Sequence, residues 1–433
     1  MKHKTTLLLS TLISSQFAFA GIQTDIATSV SNHVKVIQKN HQVESNAINM
    51  LDINSRGGVK VIFTTDSNYS LYSNISEMNS NYQADSINGI VEVKSTLYDF
   101  GMNEFAYKAE QQNKMVSSLE REEVFENSLY QLLSLSSQAQ HFKKKLEILK
   151  TTNAQLEEGV DVLKLRYKSG VGTITSIREV QLDQLDLENS INSLNNKKAT
   201  IERMIKKEFG FEAGKVALIA KYSKNISKNT IADGTGLACL SKNGRSSLDM
   251  NRTKKMKSHT GTSVSYDIRR IKAKDNPHIF GSLKGTAHDI NNGFGDYGVS
   301  AGVNVSFSLY DAGESNVAEQ KARHKQNIKD SEYNTKMLEK ENKFDEISFS
   351  CNDLKAKKMV LLSKKETLVK KIDDAIFRAT LLETNPLERI KAQFTLNKVE
   401  SEMADIDNEF TNLNLNYLNI NETLIKVGLK TNQ

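Results

Sequence analysis

Val91-Glu-Val-Lys-Ser-Thr-Leu-Tyr-Asp-Phe-Gly101 returns 212 residues later as Val303-Asn-Val-Ser-Phe-Ser-Leu-Tyr-Asp-Ala-Gly313. Each copy is an alternating strand that ends in Leu-Tyr-Asp-x-Gly and leads straight into a long helical pattern. A repeat on this scale marks a duplicated, pseudo-symmetric unit.

Around the first copy, Ile87, Gly89, Val91, Val93 and Leu97 share one strand face and Asn88, Glu92, Lys94 and Thr96 the other. Upstream, a second strand is expected from Val59 to Thr65, then a polar loop over 67–86. A helix over 21–53 precedes Arg56-Gly57-Gly58. Downstream, Leu135, Phe142, Leu149, Leu156 and Leu163 recur every seven residues, beside a second seam through Leu132, Ala139, Leu146, Val160 and Tyr167. Such heptads need neighbouring helices to bury them. From Gly101 to Lys168 the helix would be ~100 Å long. Ser169-Gly-Val-Gly-Thr173 turns it, and Val180, Leu187, Leu194 and Ile201 mark the return.

The second half follows the same plan. One strand is expected over 262–269, where Thr262, Val264, Tyr266 and Ile268 alternate with Ser263, Ser265, Asp267 and Arg269. After a Gly/Asn-rich loop over 273–296, Tyr297 to Leu309 forms the most regular strand. A helix with Ile347, Leu354, Leu361, Leu368 and Ala375 breaks near Leu381–Pro386. It returns with Val399, Ile406, Leu413 and Ile420. The region 209–258 is less regular and carries the basic run Lys242, Arg245, Arg252, Lys254, Lys255 and Lys257, read as a solvated face or an acidic partner's site.

Two prolines, no tryptophan and 25% charged residues in 433 favour long helices over compact domains. Lys2 and Lys4, an apolar stretch to Phe17 and Ala18-Phe-Ala20 read as a secretory signal over 1–20. No cysteine follows that site, which argues against a lipid anchor. Without the signal the formal charge of +6 falls to +4, too small to point to nucleic acid. Cys239 and Cys351 are compatible with a disulfide in an exported chain, or with a buried free thiol at Cys351, which falls on an apolar heptad position. His33 and His41, eight apart, do not make a metal pair. No nucleophile–base spacing, metal cluster or phosphate loop is present, so no enzyme and no cofactor is expected.

The strands decide the setting. A soluble sheet needs a core for its apolar face; a transmembrane barrel turns that face to lipid and its polar face to a water-filled lumen. Four strands cannot close a barrel, since the smallest use about eight. Three copies would supply twelve. Glu92, Lys94, Asp267 and Arg269 would then face the lumen.

The pattern strongly resembles the TolC-like outer membrane factor family over nearly the whole mature chain. Leu97–Gly101, Leu309–Gly313 and the turn Tyr167-Lys-Ser-Gly-Val-Gly-Thr173, followed by Gln181 and Leu182, carry the resemblance. Phe377, Thr384, Leu387 and Gln393 are the second-half counterparts, at an offset near 210. The resemblance implies a mixed α and transmembrane β fold: a homotrimeric, 12-stranded barrel continued by a periplasmic α-helical coiled-coil tunnel. It implies docking of Tyr167, Gly170, Val171, Gly172, Thr173, Leu381 and Leu382 to a periplasmic adaptor (membrane fusion protein), which links the duct to an inner-membrane ABC or RND transporter. Glu179, Glu383 and Glu388 are the carboxylates available for a gate. Thr380 in place of Gly170 and Pro386 in place of a carboxylate depart from the family pattern.

The expected organisation is a signal at 1–20, a first repeat at 21–208, a connector at 209–235 and a second repeat at 236–433. Each repeat holds a helix, two barrel strands and a helical hairpin. The expected role is a passive exit duct in the outer membrane, for type I protein secretion or, alternatively, for multidrug and small-molecule efflux. A pore-free exported coiled-coil scaffold or adhesin is the reading of another class.

Overall fold

The computed structural model describes residues 21–69, 85–232, 248–288, 296–380 and 386–429. The signal segment 1–20, Cys239, Leu381, Leu382 and Glu383 lie outside them. In chain order the elements are α1 (21–31), α2 (Val34–Arg56), β1 (Lys60–Tyr69), β2 (Asp85–Tyr98), α3 (Met102–Lys168), α4 (Ile174–Phe209) and α5 (Ala213–Ala232). There follow α6 (Asn251–Lys274), β3 (His278–His288), β4 (Asp296–Ser306), α7 (Glu314–Thr380), α8 (Pro386–Ile420) and α9 (Leu424–Gly428).

The duplication is visible in the lengths. Helices α3 and α7 each have 67 residues, and α4 and α8 have 36 and 35. Their N-termini at Met102 and Glu314, and at Ile174 and Pro386, are offset by 212, as are the C-termini at Lys168 and Thr380. The expected offset near 210 at the second turn is therefore corrected. Pro386 is the counterpart of Ile174, a first helical position where a missing N–H costs nothing and the fixed φ favours the helix. By the same offset Thr380 matches Lys168 rather than Gly170.

The chain divides into two compact units that cut across the repeats. One unit holds residues 1–38, 121–251 and 336–433. Its principal core joins Ile26 and Val30 of α1, Leu129, Leu132 and Leu133 of α3, Ile205 and Phe209 of α4, Ile219 of α5, and Leu415 and Leu418 of α8. A second cluster joins Leu156, Val160 and Leu163 to Ile177, Val180, Leu187 and Ile390. The heptad residues Val180, Leu187, Leu194 and Ile201 are all buried. Each such side chain contributes about 1.5–3 kcal/mol of burial. Gly159 makes the α3–α8 approach possible, because a Cβ there would stand 3.0 Å from Ile390. Cys351 is buried in α7 and is disulfide-bonded, not a free thiol. The region 209–258, expected to be irregular, contains the 20-residue helix α5.

The other unit holds residues 39–120 and 252–335. It contains one antiparallel sheet in the order β1-β2-β3-β4. The expected strand over 262–269 is overturned: these residues lie in α6, whose buried positions Met256, Ser263, Val264 and Ala273 follow helical spacing. Ser263 Oγ donates to the Ala109 carbonyl at 3.1 Å and to Asn113 Oδ1 at 2.7 Å, fixing α6 against α3. The second strand of that half is instead β3, inside the segment read as loop. Gly281 sits there opposite Ser95, with Leu97 in ordinary van der Waals reach, 3.5 Å from where a Cβ would be. β4 ends at Ser306, short of the expected Leu309.

Candidate functional site

The repeated Leu-Tyr-Asp-x-Gly forms the same junction twice. Asp99 Oδ1 accepts from Gly101 N at 3.0 Å and Oδ2 from Asn103 N at 2.9 Å. Asp311 accepts from Gly313 N and Ser315 N, both at 2.9 Å. One carboxylate thus satisfies two of the orphan amides at each helix start. The backbone reverses through two left-handed residues, Phe100 and Gly101 at φ 52° and 82°, and Ala312 and Gly313 at 53° and 82°. The Ser315 and Gly313 amides hold the Asp311 carboxyl below its ordinary range. Asp99→Ala should weaken the start of α3 by about 1 kcal/mol. Faster amide exchange at Gly101 and Asn103, with the Asp311 junction unchanged, would show it.

The turn after α3 explains its sequence residue by residue. Val171 N donates to Arg166 O and Gly170 N to Tyr167 O, both at 3.0 Å, a Schellman close with Gly170 at φ 81°. A Cβ on Gly172 would lie 3.1 Å from the Tyr167 backbone nitrogen. Thr173 caps α4, accepting from Ser176 N at 3.3 Å. The fixed backbone leaves Tyr167, Val171 and Ile174 45–67% exposed on the turn's surface. Gly172→Val should open the turn, because the clash is with backbone that cannot rotate away. Proteolytic nicking between Lys168 and Ile174 reads this out, and unchanged resistance would contradict the close-approach argument.

Of the carboxylates considered for a gate, Glu179 on α4 forms an ion pair with Lys391 on α8, a partner not singled out in the sequence. Asp183, one turn along, has its pKa raised, chiefly by burial against the opposing pull of Lys391. Both members of the pair are about half exposed, so it is worth at most about 1 kcal/mol. Glu388 lies in the first turn of α8, where the helix dipole favours an acid.

Glu92 and Lys94 sit on the polar face of β2. Asp267 and Arg269, expected beside them, do not: both are on α6, where Asp267 pairs with Arg270 at 3.3 Å and Arg269 lies over the Tyr266 ring. Burial raises the Asp267 pKa, with Arg270 opposing. The register supplies Lys60 and Lys284 instead, since Lys60 pairs with Lys94 and Glu92 with Lys284. On the opposite face, Val61, Val93, Leu283 and Ala301 form one cross-strand row, and Phe63, Val91, Gly285 and Val299 the next. Val61, Phe63, Val299 and Val303 are 66–75% exposed. Ile62, Ile90 and Phe280 interrupt the polar face, which otherwise carries Thr64, Asn88, Thr96, Ser282, Thr286, Ser300 and Asn304.

His33 is buried, 3.3 Å from Ser128 Oγ and stacked on Phe209, while His41 meets Glu44, so each has a separate structural role. Among the described residues no helix is long and apolar enough to cross a membrane.

A four-stranded antiparallel sheet, joined in each half to a 67-residue helix and a return helix of 36 or 35 residues, is the fold this chain shares with outer-membrane channel proteins. The chain is similar over 94% of its length, with a TM-score of 0.70 and 10% identity, to the outer membrane protein VceC from Vibrio cholerae, of which 96% is covered. It matches the outer-membrane channel OprN at 0.71 and 12% identity, covering 93% of this chain and 90% of that one. It matches the open state of the Neisseria gonorrhoeae MtrE outer membrane channel at 0.67 and 10% identity, over 93% and 89%. No protein-family model and no curated protein matches the sequence.

Proposed function

We propose that three copies of this chain form an outer-membrane channel-tunnel, the passive exit duct of a tripartite export system. The sheet carries the argument. It has a mostly apolar face, interrupted by Thr65, Ser67 and Ser95, a mostly polar face and two edge strands, β1 and β4, unpaired among the described residues. Four strands are too few to close, and an open edge in lipid leaves backbone groups without partners. Joining β1 of one copy to β4 of the next in threefold symmetry gives twelve strands and no edge. The fold shared with VceC, OprN and MtrE supports the same reading.

In this duct the turn at Tyr167–Thr173, with its counterpart around Leu381 and Leu382, docks to a periplasmic adaptor that connects to an inner-membrane ABC or RND transporter. The Glu179–Lys391 pair ties α4 to α8 beside that end, with Glu383 and Glu388 as further gate carboxylates. The domain bounds at 21–208, 209–235 and 236–433 describe the repeats of such a protomer. Type I protein secretion is the favoured cargo route, with multidrug or small-molecule efflux as the alternative. Deleting the gene and comparing secreted proteins with drug and bile-salt sensitivity tests it. Loss of a large secreted protein with unchanged resistance supports secretion, whereas the reverse pattern assigns the duct to small-molecule efflux. Recovery of the protein as a soluble periplasmic monomer would remove the channel reading.

A further inference from the structure

The strand register gathers positive charge at one height of the polar face. Lys60 pairs directly with Lys94, Lys94 with Ser282, and Ser282 with Gly302, so this row carries two lysines and no acid. The next row is Ile62, Glu92, Lys284 and Ser300, where opposite charges face each other. The row after that, Thr64, Ile90, Thr286 and Gly298, is uncharged. Like charges directly opposite on neighbouring strands are unfavourable, so the sheet gains nothing from Lys60 beside Lys94. Lys94 settles with its ammonium 4.0 Å above the Phe280 ring, and it forms no ion pair among the described residues. Lys60 has no ion-pair partner among the described residues. The flanking Ser282, Gly302 and Ser300 are small and Gly302 faces open space, leaving Lys60 exposed and Lys94 partly exposed among the described residues.

We infer that Lys60 and Lys94 form an anion-selecting ring in the lumen, which binds multiply charged anions such as phosphate or carboxylate clusters on the solute being exported. The inference rests on the trimeric channel proposed above and adds the chemical class that its barrel favours. In a threefold assembly the pair recurs at the same height, giving six ammonium groups. Cβ atoms of directly opposed residues lie about 4.5–5.5 Å apart, a span that one phosphate or carboxylate bridges with charge-assisted hydrogen bonds. A narrow low-dielectric wall focuses the field of such a ring and raises the local anion concentration. The row lies four residues before Tyr98, at the end of β2 that leads to the Asp99 junction, so solute arriving from the helices would meet it early in the barrel.

The purified full-length protein, reconstituted in planar bilayers, tests this with tripolyphosphate as the probe. A salt gradient across the bilayer should give a reversal potential shifted towards anions. In Lys60→Gln/Lys94→Gln the cation-to-anion permeability ratio should rise at least about twofold, with conducting steps retained. Millimolar tripolyphosphate should interrupt the parent current, and the double variant should need about tenfold more, equivalent to about 1.4 kcal/mol. Lys284→Gln should move both readings less, because Glu92 already balances that charge, and Lys94→Arg should preserve both. Conducting channels with unchanged selectivity and block in the double variant would overturn the ring and leave the channel intact. Absence of conducting steps from parent and variants alike would overturn the channel and the ring together.

Discussion

Leu418→Ala should lower the stability of the folded chain by about 2–5 kcal/mol, the largest loss expected from a single truncation. Leu418 is fully buried in α8, in the core that joins Leu129, Leu132 and Leu133 to Ile219 and Leu424. These residues come from four helices, of which α3, α5 and the α8–α9 pair are far apart in sequence, and deleting the isobutyl group leaves a void that none of them can fill without moving the rest. Chemical unfolding in detergent, followed by helical signal, reads the loss directly. Leu182→Ala on α4, where the side chain is 63% exposed, serves as the comparison and should change stability by about 0.5 kcal/mol or less. Equal losses at the two positions would mean that the core is not organised as described.

The second large effect separates two nearby residues of β4. Val303→Arg places a guanidinium on the apolar face, and Ser300→Arg places it on the polar one. If the apolar face meets lipid, the first change costs about 2–4 kcal/mol per chain near the bilayer midplane, whereas the lumen accommodates the second. In the proposed trimer the penalty would recur in each of the three chains. The expected result is loss of heat-stable oligomer from the outer-membrane fraction for Val303→Arg and near-normal amounts for Ser300→Arg. The same yield for both would argue against a lipid-facing sheet and favour an exported scaffold.

Much of this architecture was legible because its signals are long and redundant. The heptads through Leu156, Leu163, Val180 and Leu187 each recur over several turns, and all four residues are buried. The junction motif is short, but its duplication exposed it, and the geometry at Asp99 and Asp311 now gives the reason for its spacing. Local pattern failed where two periods overlap. Thr262, Val264, Tyr266 and Ile268 alternate as a strand would, yet Met256, Ser263 and Val264 fall on one helical face, and the contacts to Ala109 and Asn113 decide for helix. β3 escaped notice because Gly281 and Gly285 occupy positions where an apolar residue was expected. They weaken the apolar alternation, and the pairing of β3 with β2 comes from nearly 200 residues earlier, which no local window contains. The misplaced strand also hid Lys284 and put Asp267 and Arg269 where they do not belong. Lys391 went unnoticed for the same reason: its significance lies in Glu179, 212 residues earlier.

The pairing of β2 with β3 sets an order of events during biogenesis. β1 and β2, like β3 and β4, are close in sequence, so either hairpin closes a short loop. The seam between them joins Gly89 to Ala287 and therefore waits until two-thirds of the chain has been made. Closing a loop of that length is slow compared with helix formation. Until then both hairpins present bare edges, which are templates for mispairing. The core that joins Leu129, Leu132 and Leu133 of α3 to Leu415 and Leu418 of α8 waits longer still, so α3, α4 and α5 should form early as helices, the sheet should close next and this core should be completed last.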